Sequence, residues 1–160
     1  MHAEPQAEHA WLHKLVGEWT SEGECDMGPD QPKLKTAGIS KVTSVGGLWI
    51  MDEGIGGMPV GDKDRSFMTL GYDPLKQKFV GTFIASMMTY LWIYEGSLDD
   101  SGKVLSLDCV GPDFGGGTEL ANYKDVIAFH SDDHRTLTAH VQAPDGTWKS
   151  FMTTHFHRKK

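Results

Sequence analysis

The sequence predicts an all-β protein: a single closed, antiparallel, up-and-down barrel of about ten strands, with a short N-terminal helix across one end. One early segment has helical periodicity, and about ten later segments alternate in polarity between turn signals. No second helical segment is long enough to connect parallel strands. Because an open ten-stranded sheet would leave two exposed edges, we expect closure. The length fits one domain, 1–160, with the helix over 5–16 and the barrel over 18–158.

The predicted helix covers residues 5–16, PQAEHAWLHKLV. Its large apolar residues fall on one face at helical spacing, and Pro5 suits a first turn. Gly17 follows directly, and glycine commonly stands just past a helix end. We therefore expect one helix that covers one mouth of the barrel.

The rest of the chain has the pattern of strands and turns, because short alternating runs are separated by glycine, proline and aspartate signals. Their regular spacing is typical of an antiparallel meander or barrel. The predicted strands are, in order, EWTSEGECDM, LKTAGISKVTSV, LWIMDEGI, SFMTLGY, KFVGTFIASMM, TYLWIYEGSL, KVLSLDCVG, YKDVIAFH, RTLTAHVQ and TWKSFMTTHFHR.

Composition excludes several classes of partner. The formal net charge of −7 argues against nucleic acid or an anionic membrane as the main partner, because binding to either requires a positively charged protein surface. The apolar runs are too short to span a bilayer, and the polar N-terminus lacks a signal-peptide pattern. With only Cys25 and Cys109, we expect a cytoplasmic protein with reduced thiols.

The stretch Gly17-Glu18-Trp19 resembles the Gly-x-Trp of the first strand in calycin (lipocalin-like) barrels. In that family a tryptophan packs at the closed end, and an arginine from the end of the last strand lies over its ring. Arg158, in the final TTHFHR, stands where such an arginine would be. The resemblance implies that Trp19 and Arg158 close the barrel structurally.

A second resemblance extends over nearly the whole chain. The segments HAWLHKLVGEWTSEG, GGLWIMDEG, TLGYDPLKQKFVGTFIASM, YEGSLDDSGKVLSL and HFHRK resemble the bacterial family called domain of unknown function 1579, which is calycin-like and has no established function. The resemblance implies a tryptophan and an aspartate in the GTFIAS stretch, where this chain has Phe83 and Ala85. A functional role of that aspartate in relatives would therefore not transfer.

The barrel interior is the predicted functional site. If Trp19 and Arg158 face inward, alternation assigns the other inward residues, which are aromatic, methionine and small. Such a lining suits an apolar ligand cavity, or the same residues fill a solid core; periodicity leaves both open. The favoured function is non-enzymatic binding of a small apolar or amphipathic molecule. The predicted lining residues are Phe83, Met87, Tyr90, Trp92, Tyr94 and Met152.

The C-terminal histidines form a possible metal site. HFH places His155 and His157 on one strand face, at a spacing that can supply two metal ligands. If the APDG hairpin pairs residues 142 and 147, His134 lies opposite His155 on the same face. That face is the outer surface, so solvated histidines are the favoured interpretation and no cofactor is expected, with zinc as an alternative.

Haem is a second alternative cofactor, because the nitrobindin group of calycin-like barrels binds haem through a histidine near the C-terminus. His155 would face outward by alternation, whereas His130 or His140 could face inward in another register. A haem- or metal-dependent protein that uses the C-terminal histidines is therefore the first alternative function. The second alternative is a homo-oligomeric interaction module, since exposed strand faces and a net-acidic surface could support a homodimer.

Carboxylates offer the remaining candidate chemistry. Alternation points one of Asp52 and Glu53 inward, and Glu95 lies in an apolar strand. A buried carboxylate with a raised pKa can act as an acid or base, but a structural pair with Arg65 or Arg158 is favoured. No Ser/His/Asp order has a nucleophile-elbow context, and the glycine-rich stretches lack the helix of a phosphate loop. The sequence therefore favours a protein that is not an enzyme.

Overall fold

A computed structural model describes residues 1–59 and 63–160. Each strand pairs antiparallel with the next strand in the chain, and the first also pairs with the last, which closes the barrel. The predicted fold class is confirmed. The elements are the helix α1 (Ala7–His13) and the strands β1 (Gly17–Cys25), β2 (Leu34–Val45), β3 (Trp49–Gly56), β4 (Arg65–Asp73), β5 (Lys78–Ala85), β6 (Trp92–Leu98), β7 (Val104–Pro112), β8 (Leu120–Ser131), β9 (His134–Gln142) and β10 (Trp148–Arg158).

The two ends of the barrel differ in their connections. At the end that α1 covers, termed the closed end, the strands are joined by the short turns 46–48, 74–77, 99–103 and 132–133. At the opposite end, termed the open end, the connections are 26–33, 57–64 (which includes the three residues outside the described ranges), 86–91, 113–119 and 143–147.

The helix is shorter than the predicted 5–16, because its C-terminal part tightens into a turn. The backbone N–H groups of Leu15 and Val16 donate to carbonyls three residues earlier, at 3.0 and 3.1 Å. Gly17 then adopts a φ of 140° and begins β1. The chain therefore leaves the helix at His13 and turns into the first strand within four residues.

The closed end is a solid apolar core that α1 completes. The Trp11 ring packs edge-on against Phe79 and Phe129 at 5.9 and 5.5 Å, and its Nε1 donates to the Gly102 carbonyl at 2.6 Å. The strands fill the space beneath the helix with aliphatic side chains. The buried residues of this core include Leu12, Leu15, Val42, Ile50, Leu70, Phe79, Leu105, Leu107, Ile127 and Phe129.

The Gly-x-Trp stretch lies at the junction of helix and barrel. Trp19 is completely buried, and its Nε1 donates to the Leu15 carbonyl at 2.9 Å. The Arg158 guanidinium lies 4.2 Å from the Trp19 ring and donates to the Val16 carbonyl at 2.7 Å. A Cβ atom at Gly17 would lie 2.5 Å from Arg158 Nη1, so this position requires glycine both for its φ and for space.

Candidate functional site: a cavity at the open end

The open half of the barrel encloses a cavity of about 690 Å³, a volume in the range of small-molecule sites. The strands leave this space because many of their inward positions near the open end hold small side chains. Methionine and aromatic side chains from the connections surround the mouth. The small lining residues are Ser21, Ser40, Gly54, Gly56, Ser66 and Ala139, and those from the connections include Met27, Met58, Met87, Met88 and Phe114.

Most of the predicted lining residues surround this cavity. They are Phe83, Met87, Trp92, Tyr94 and Met152. Tyr90 differs from the prediction, because it precedes β6 and its hydroxyl donates to the Val110 carbonyl at 3.0 Å. Its ring packs against Trp92 at 5.2 Å and does not line the cavity. Strand alternation does not extend past the first residue of β6, so it could not place Tyr90.

An aromatic cluster, Trp92, Phe114 and Tyr123, lines the mouth of the cavity. The Trp92 ring lies 5.1 Å from Tyr123 and 5.9 Å from Phe114, and Phe114 lies 5.8 Å from Tyr123. Gly111 makes room for Trp92, because a Cβ atom there would overlap the indole ring. The Trp92 Nε1–H is buried and has no hydrogen-bond partner in the described part of the chain.

A half-buried carboxyl group, Asp125, lies on the same wall, deeper than the aromatic cluster. The Tyr94 hydroxyl donates to Asp125 Oδ2 at 2.6 Å. Burial raises the pKa of Asp125, while the Tyr94 hydrogen bond and the nearby His140 act in the opposite direction. Burial also raises the pKa of Tyr94 and, to about 12, that of the neighbouring Cys109 thiol. Among the described residues, no lysine, arginine or histidine forms a salt bridge with Asp125.

A second inward carboxylate, Asp52, has a different environment. The Ser40 hydroxyl donates to it, and Arg135 Nη2 lies 3.7 Å from Asp52 Oδ2. Burial raises the pKa of Asp52, whereas Arg135 and Ser40 lower it. Burial lowers the pKa of Arg135 to about 10, so its guanidinium stays charged at neutral pH. This pair therefore carries no net charge when Asp52 is ionised.

Arg135 lies between the cavity and the closed end. Only 3% of its side chain is exposed, and its guanidinium packs 4.7 Å from the Trp19 ring and 4.0 Å from the Phe156 ring. It lines a separate space of about 30 Å³ rather than the large cavity. Asp52 and Phe156 line both spaces and thus separate the guanidinium from the large cavity.

The two carboxyl groups face each other across the barrel. Asp52 is on β3 and Asp125 is on β8, and four strands separate β3 from β8 in either direction around the ring. Both residues line the cavity. A molecule in the cavity therefore meets a paired carboxylate on one wall and an unpaired carboxyl on the other.

The prediction that Arg65 or Arg158 pairs with the inward carboxylate is wrong. Asp52 is the inward member of its pair, and it contacts Arg135 rather than Arg65 or Arg158. Glu53 points outward and forms a salt bridge with Arg65. Arg135 could have been identified from the sequence, because by alternation it shares a face of β9 with the apolar residues Leu137 and Ala139.

Glu95, the carboxylate in an apolar strand, lies on the outer surface. It forms a salt bridge with Lys76 at 2.7 Å, and about half of its side chain is exposed. Sequence reasoning missed Asp125 instead. Its signal was the alternation of Tyr123, Asp125 and Ile127, which puts a carboxylate among inward aromatic and aliphatic residues.

The C-terminal histidines form a stack on the outer surface. The His134 ring lies 4.7 Å from His130, 5.2 Å from His155 and 4.6 Å from His157, with interplanar angles of 30°, 22° and 12°. Desolvation and these neighbouring rings lower the pKa of His134. Over residues 1–59 and 63–160, no group of three or more His, Cys, Asp or Glu side chains is arranged to hold a metal ion. Zinc binding at these histidines stays a prediction.

The register of the last hairpin also differs from the expected one. Gln142 pairs with Trp148 rather than with residue 147, and a bulge before Met152 adds a second one-residue shift. His134 therefore lies opposite His157 instead of His155. Because two one-residue shifts restore the alternation, the three predicted histidines still share one face.

The lining of the cavity does not fit haem ligation by histidine. Within the described part of the chain, no histidine lines the large cavity. His130 and His155 are exposed, and His140 lies on the outer face with Nδ1 3.2 Å from the Lys124 carbonyl. The alternative prediction, that His130 or His140 faces inward in another register, is therefore wrong.

These observations define a class: a closed ten-stranded antiparallel barrel with one filled end and one cavity that opens at the other end. The chain belongs to the family described as protein of unknown function (DUF1579), whose model matches residues 4–158. This family was expected from the sequence and is confirmed. No curated protein matches the chain.

Two solved structures show a similar fold. Rv2717c from M. tuberculosis has a TM-score of 0.62 and 13% identity, over 98% of this chain and 100% of that chain. EF1p2_mFAP2b bound to DFHBI has a TM-score of 0.50 and 11% identity, over 94% of this chain and 98% of that chain. At these identities the similarity shows the fold alone. In the described ranges, no helix is long and apolar enough to cross a membrane.

Proposed function

We propose that this protein binds a small, mostly apolar molecule in the open-end cavity and does not convert it chemically. The observation that carries the proposal is the cavity itself, about 690 Å³ with a lining of methionine, aromatic and small side chains. Apolar sites with a few well-placed polar groups are the usual form of small-molecule pockets. The Trp19–Arg158 closure further supports a calycin-like barrel, in which the interior is the binding site.

Unpartnered polar atoms in the lining support the same proposal. Thr154 and Trp92 are 3% and 6% exposed, and neither the Thr154 hydroxyl nor the Trp92 Nε1–H has a hydrogen-bond partner among residues 1–59 and 63–160. A buried polar group without a partner costs about 1–3 kcal/mol, and a bound molecule with matching polar atoms would remove that cost. Two free buried thiols, Cys25 and Cys109, support a reducing compartment such as the cytoplasm.

Titration with Nile red, an uncharged apolar fluorophore, tests the proposal. Ala139→Phe adds a ring inside the cavity, and Ala37→Phe makes the same change on the exposed outer face of β2. We expect saturable binding to the native protein, a loss of at least tenfold in affinity for Ala139→Phe, and no change for Ala37→Phe.

Circular dichroism must show that each variant is folded. If Ala139→Phe does not fold, Met152→Trp provides a second way to fill the cavity. Absence of saturable binding to the folded native protein would contradict the proposal. Equal binding by the inner-face and outer-face variants would also contradict it, because the probe would then sit outside the barrel.

A homodimer is a second candidate, favoured by apolar side chains on the outer wall of the barrel. Ile39 on β2 is 52% exposed, and its pairing partner Ile55 on β3 is 40% exposed. Large apolar groups on one surface are a feature of association sites. Sedimentation equilibrium across a range of protein concentrations tests this candidate, and a monomer at every concentration would exclude it.

A further inference from the structure

We infer that the ligand carries a positively charged amine, which Asp125 and Tyr94 bind directly, while its apolar portion occupies the rest of the cavity. This inference rests on the proposed function, because it assigns the chemical class of the molecule in the same cavity. Three features of the cavity lead to it: the charge of its lining, the position of the aromatic cluster and the location of Arg135.

The lining has acidic groups and no basic ones among the described residues. Its ionisable carboxyl groups are Asp26 near the mouth, Asp52 and Asp125. Arg135 already neutralises Asp52. Within the described ranges, Asp125 has only the Tyr94 hydroxyl as a direct side-chain partner, so a cation is the partner that its carboxylate lacks.

The aromatic cluster lies on the path from the mouth to Asp125. On β6, Trp92 is two residues nearer the open end than Tyr94, and on β8, Tyr123 is two residues nearer than Asp125. All four side chains line the cavity on the wall that these strands share. An ammonium group is attracted to aromatic faces and then to the carboxylate, so both features favour the same ligand charge.

The location of Arg135 disfavours an anionic ligand. Its guanidinium lies behind Asp52 and Phe156 and faces the closed end, so the cavity presents the Asp52 carboxylate instead. A ligand carboxylate would therefore meet like charges without a free cation. The unpartnered Trp92 N–H and Thr154 hydroxyl can still bind an uncharged oxygen elsewhere on the ligand.

Three ligands with the same alkyl chain test the charge preference: dodecylamine, dodecanol and dodecanoate, each titrated below its micelle concentration as a competitor of Nile red at pH 7. We expect dodecylamine to bind at least tenfold tighter than dodecanol, and dodecanoate to bind more weakly than either. We expect Asp125→Asn to remove the advantage of dodecylamine over dodecanol and to leave dodecanol within twofold.

Asp108→Asn is the matched control, because this aspartate is 67% exposed on the outer face of β7. It pairs there with Lys124, the residue that precedes Asp125 on β8. This variant should leave all three affinities unchanged. If Nile red binds but dodecylamine has no advantage, or if dodecanoate binds tightest, the inference is wrong and the proposed function stands. If neither Nile red nor any alkyl compound binds the folded protein, the proposed function itself fails.

Discussion

The two ends of this barrel are built from the same ten strands but have opposite interiors. The inward positions of individual strands show the change. In β1 they pass from Trp19 at the closed end to Gly23 nearer the open end, and in β3 they pass from Ile50 to Gly54. Large side chains fill the closed end, and small ones leave the cavity at the open end. Under the proposed function, stability resides at one end and binding at the other, and substitutions at the two ends should have different effects.

The largest expected effect is at the closed end. Trp19→Ala should reduce the free energy of unfolding by about 3–5 kcal/mol, because it removes a fully buried indole and leaves a void. Phe114→Ala, at the mouth of the cavity and 63% exposed, should reduce it by less than about 1 kcal/mol. Urea unfolding of both variants measures the contrast. Similar losses for the two would contradict the distinction between the ends.

The boundary between the two ends contains the Asp52–Arg135 pair. Arg135→Met should cost about 3 kcal/mol at pH 7, because it leaves Asp52 as a partly buried carboxylate without its cation. Arg65→Met, which breaks the exposed pair with Glu53, should cost less than about 1 kcal/mol. Adding Asp52→Leu to Arg135→Met should recover part of the loss. If the double variant unfolds as easily as Arg135→Met alone, the unpaired charge is not the cause.

The pH dependence of stability should report Asp125 at the open end. Burial raises the pKa of Asp125 in the folded protein above the ordinary 3.8. Between pH 3.8 and the folded-state pKa, the folded protein therefore binds more protons than the unfolded chain. Stability therefore falls as pH rises through that window, and the loss is complete above the folded-state pKa. Tyr94 on β6 and Cys109 on β7 face Asp125 inside the barrel, and His140, on the outer face of β9, acts on its charge from the other side of the sheet.

Asp125→Asn removes this titration, so the variant should gain stability relative to the native protein as pH rises from 4 to 8. Urea unfolding at several pH values measures the difference. Asp108→Asn, on the outer surface, should show no such trend. A difference between Asp125→Asn and the native protein that is independent of pH would contradict the raised pKa.

The smallest expected effect is at Tyr90, which was expected in the cavity and lies beside it. Tyr90→Phe removes one hydrogen bond to the Val110 carbonyl and should cost about 0.5–1 kcal/mol. Nile red affinity should stay within twofold, because the hydroxyl does not reach the cavity. A large loss of affinity, measured by the same fluorescence titration, would return Tyr90 to the binding site.

The fold could be predicted from the sequence because strand alternation and turn residues are local signals. Trp92, Tyr94 and Met152 follow from the same alternation, and all three line the cavity. Tyr90 does not follow, because it lies before the strand begins. Arg135 and Asp125 have the correct alternation but were overlooked, since charged residues are seldom assigned to an interior without a visible partner.

The cavity itself could not be predicted from the sequence. Periodicity indicates which side chains face inward, but empty space depends on how those side chains combine across ten strands. Trp19 and Ala139 are both inward residues, yet one fills the barrel and the other borders the cavity. The histidine register failed for a similar reason, because the bulge near Met152 has no local sequence signal.

The Asp52–Arg135 pair also bears on how ligand preference could diverge within this family. Because the pair is neutral and lies at the base of the cavity, it contributes to folding without setting the charge of the proposed binding site. That charge then depends on Asp26 near the mouth and on position 125. A relative with an uncharged or basic residue there would keep the same barrel and the same closed end but select a different class of molecule. Ligand selection could therefore evolve by single substitutions that leave the folded framework intact.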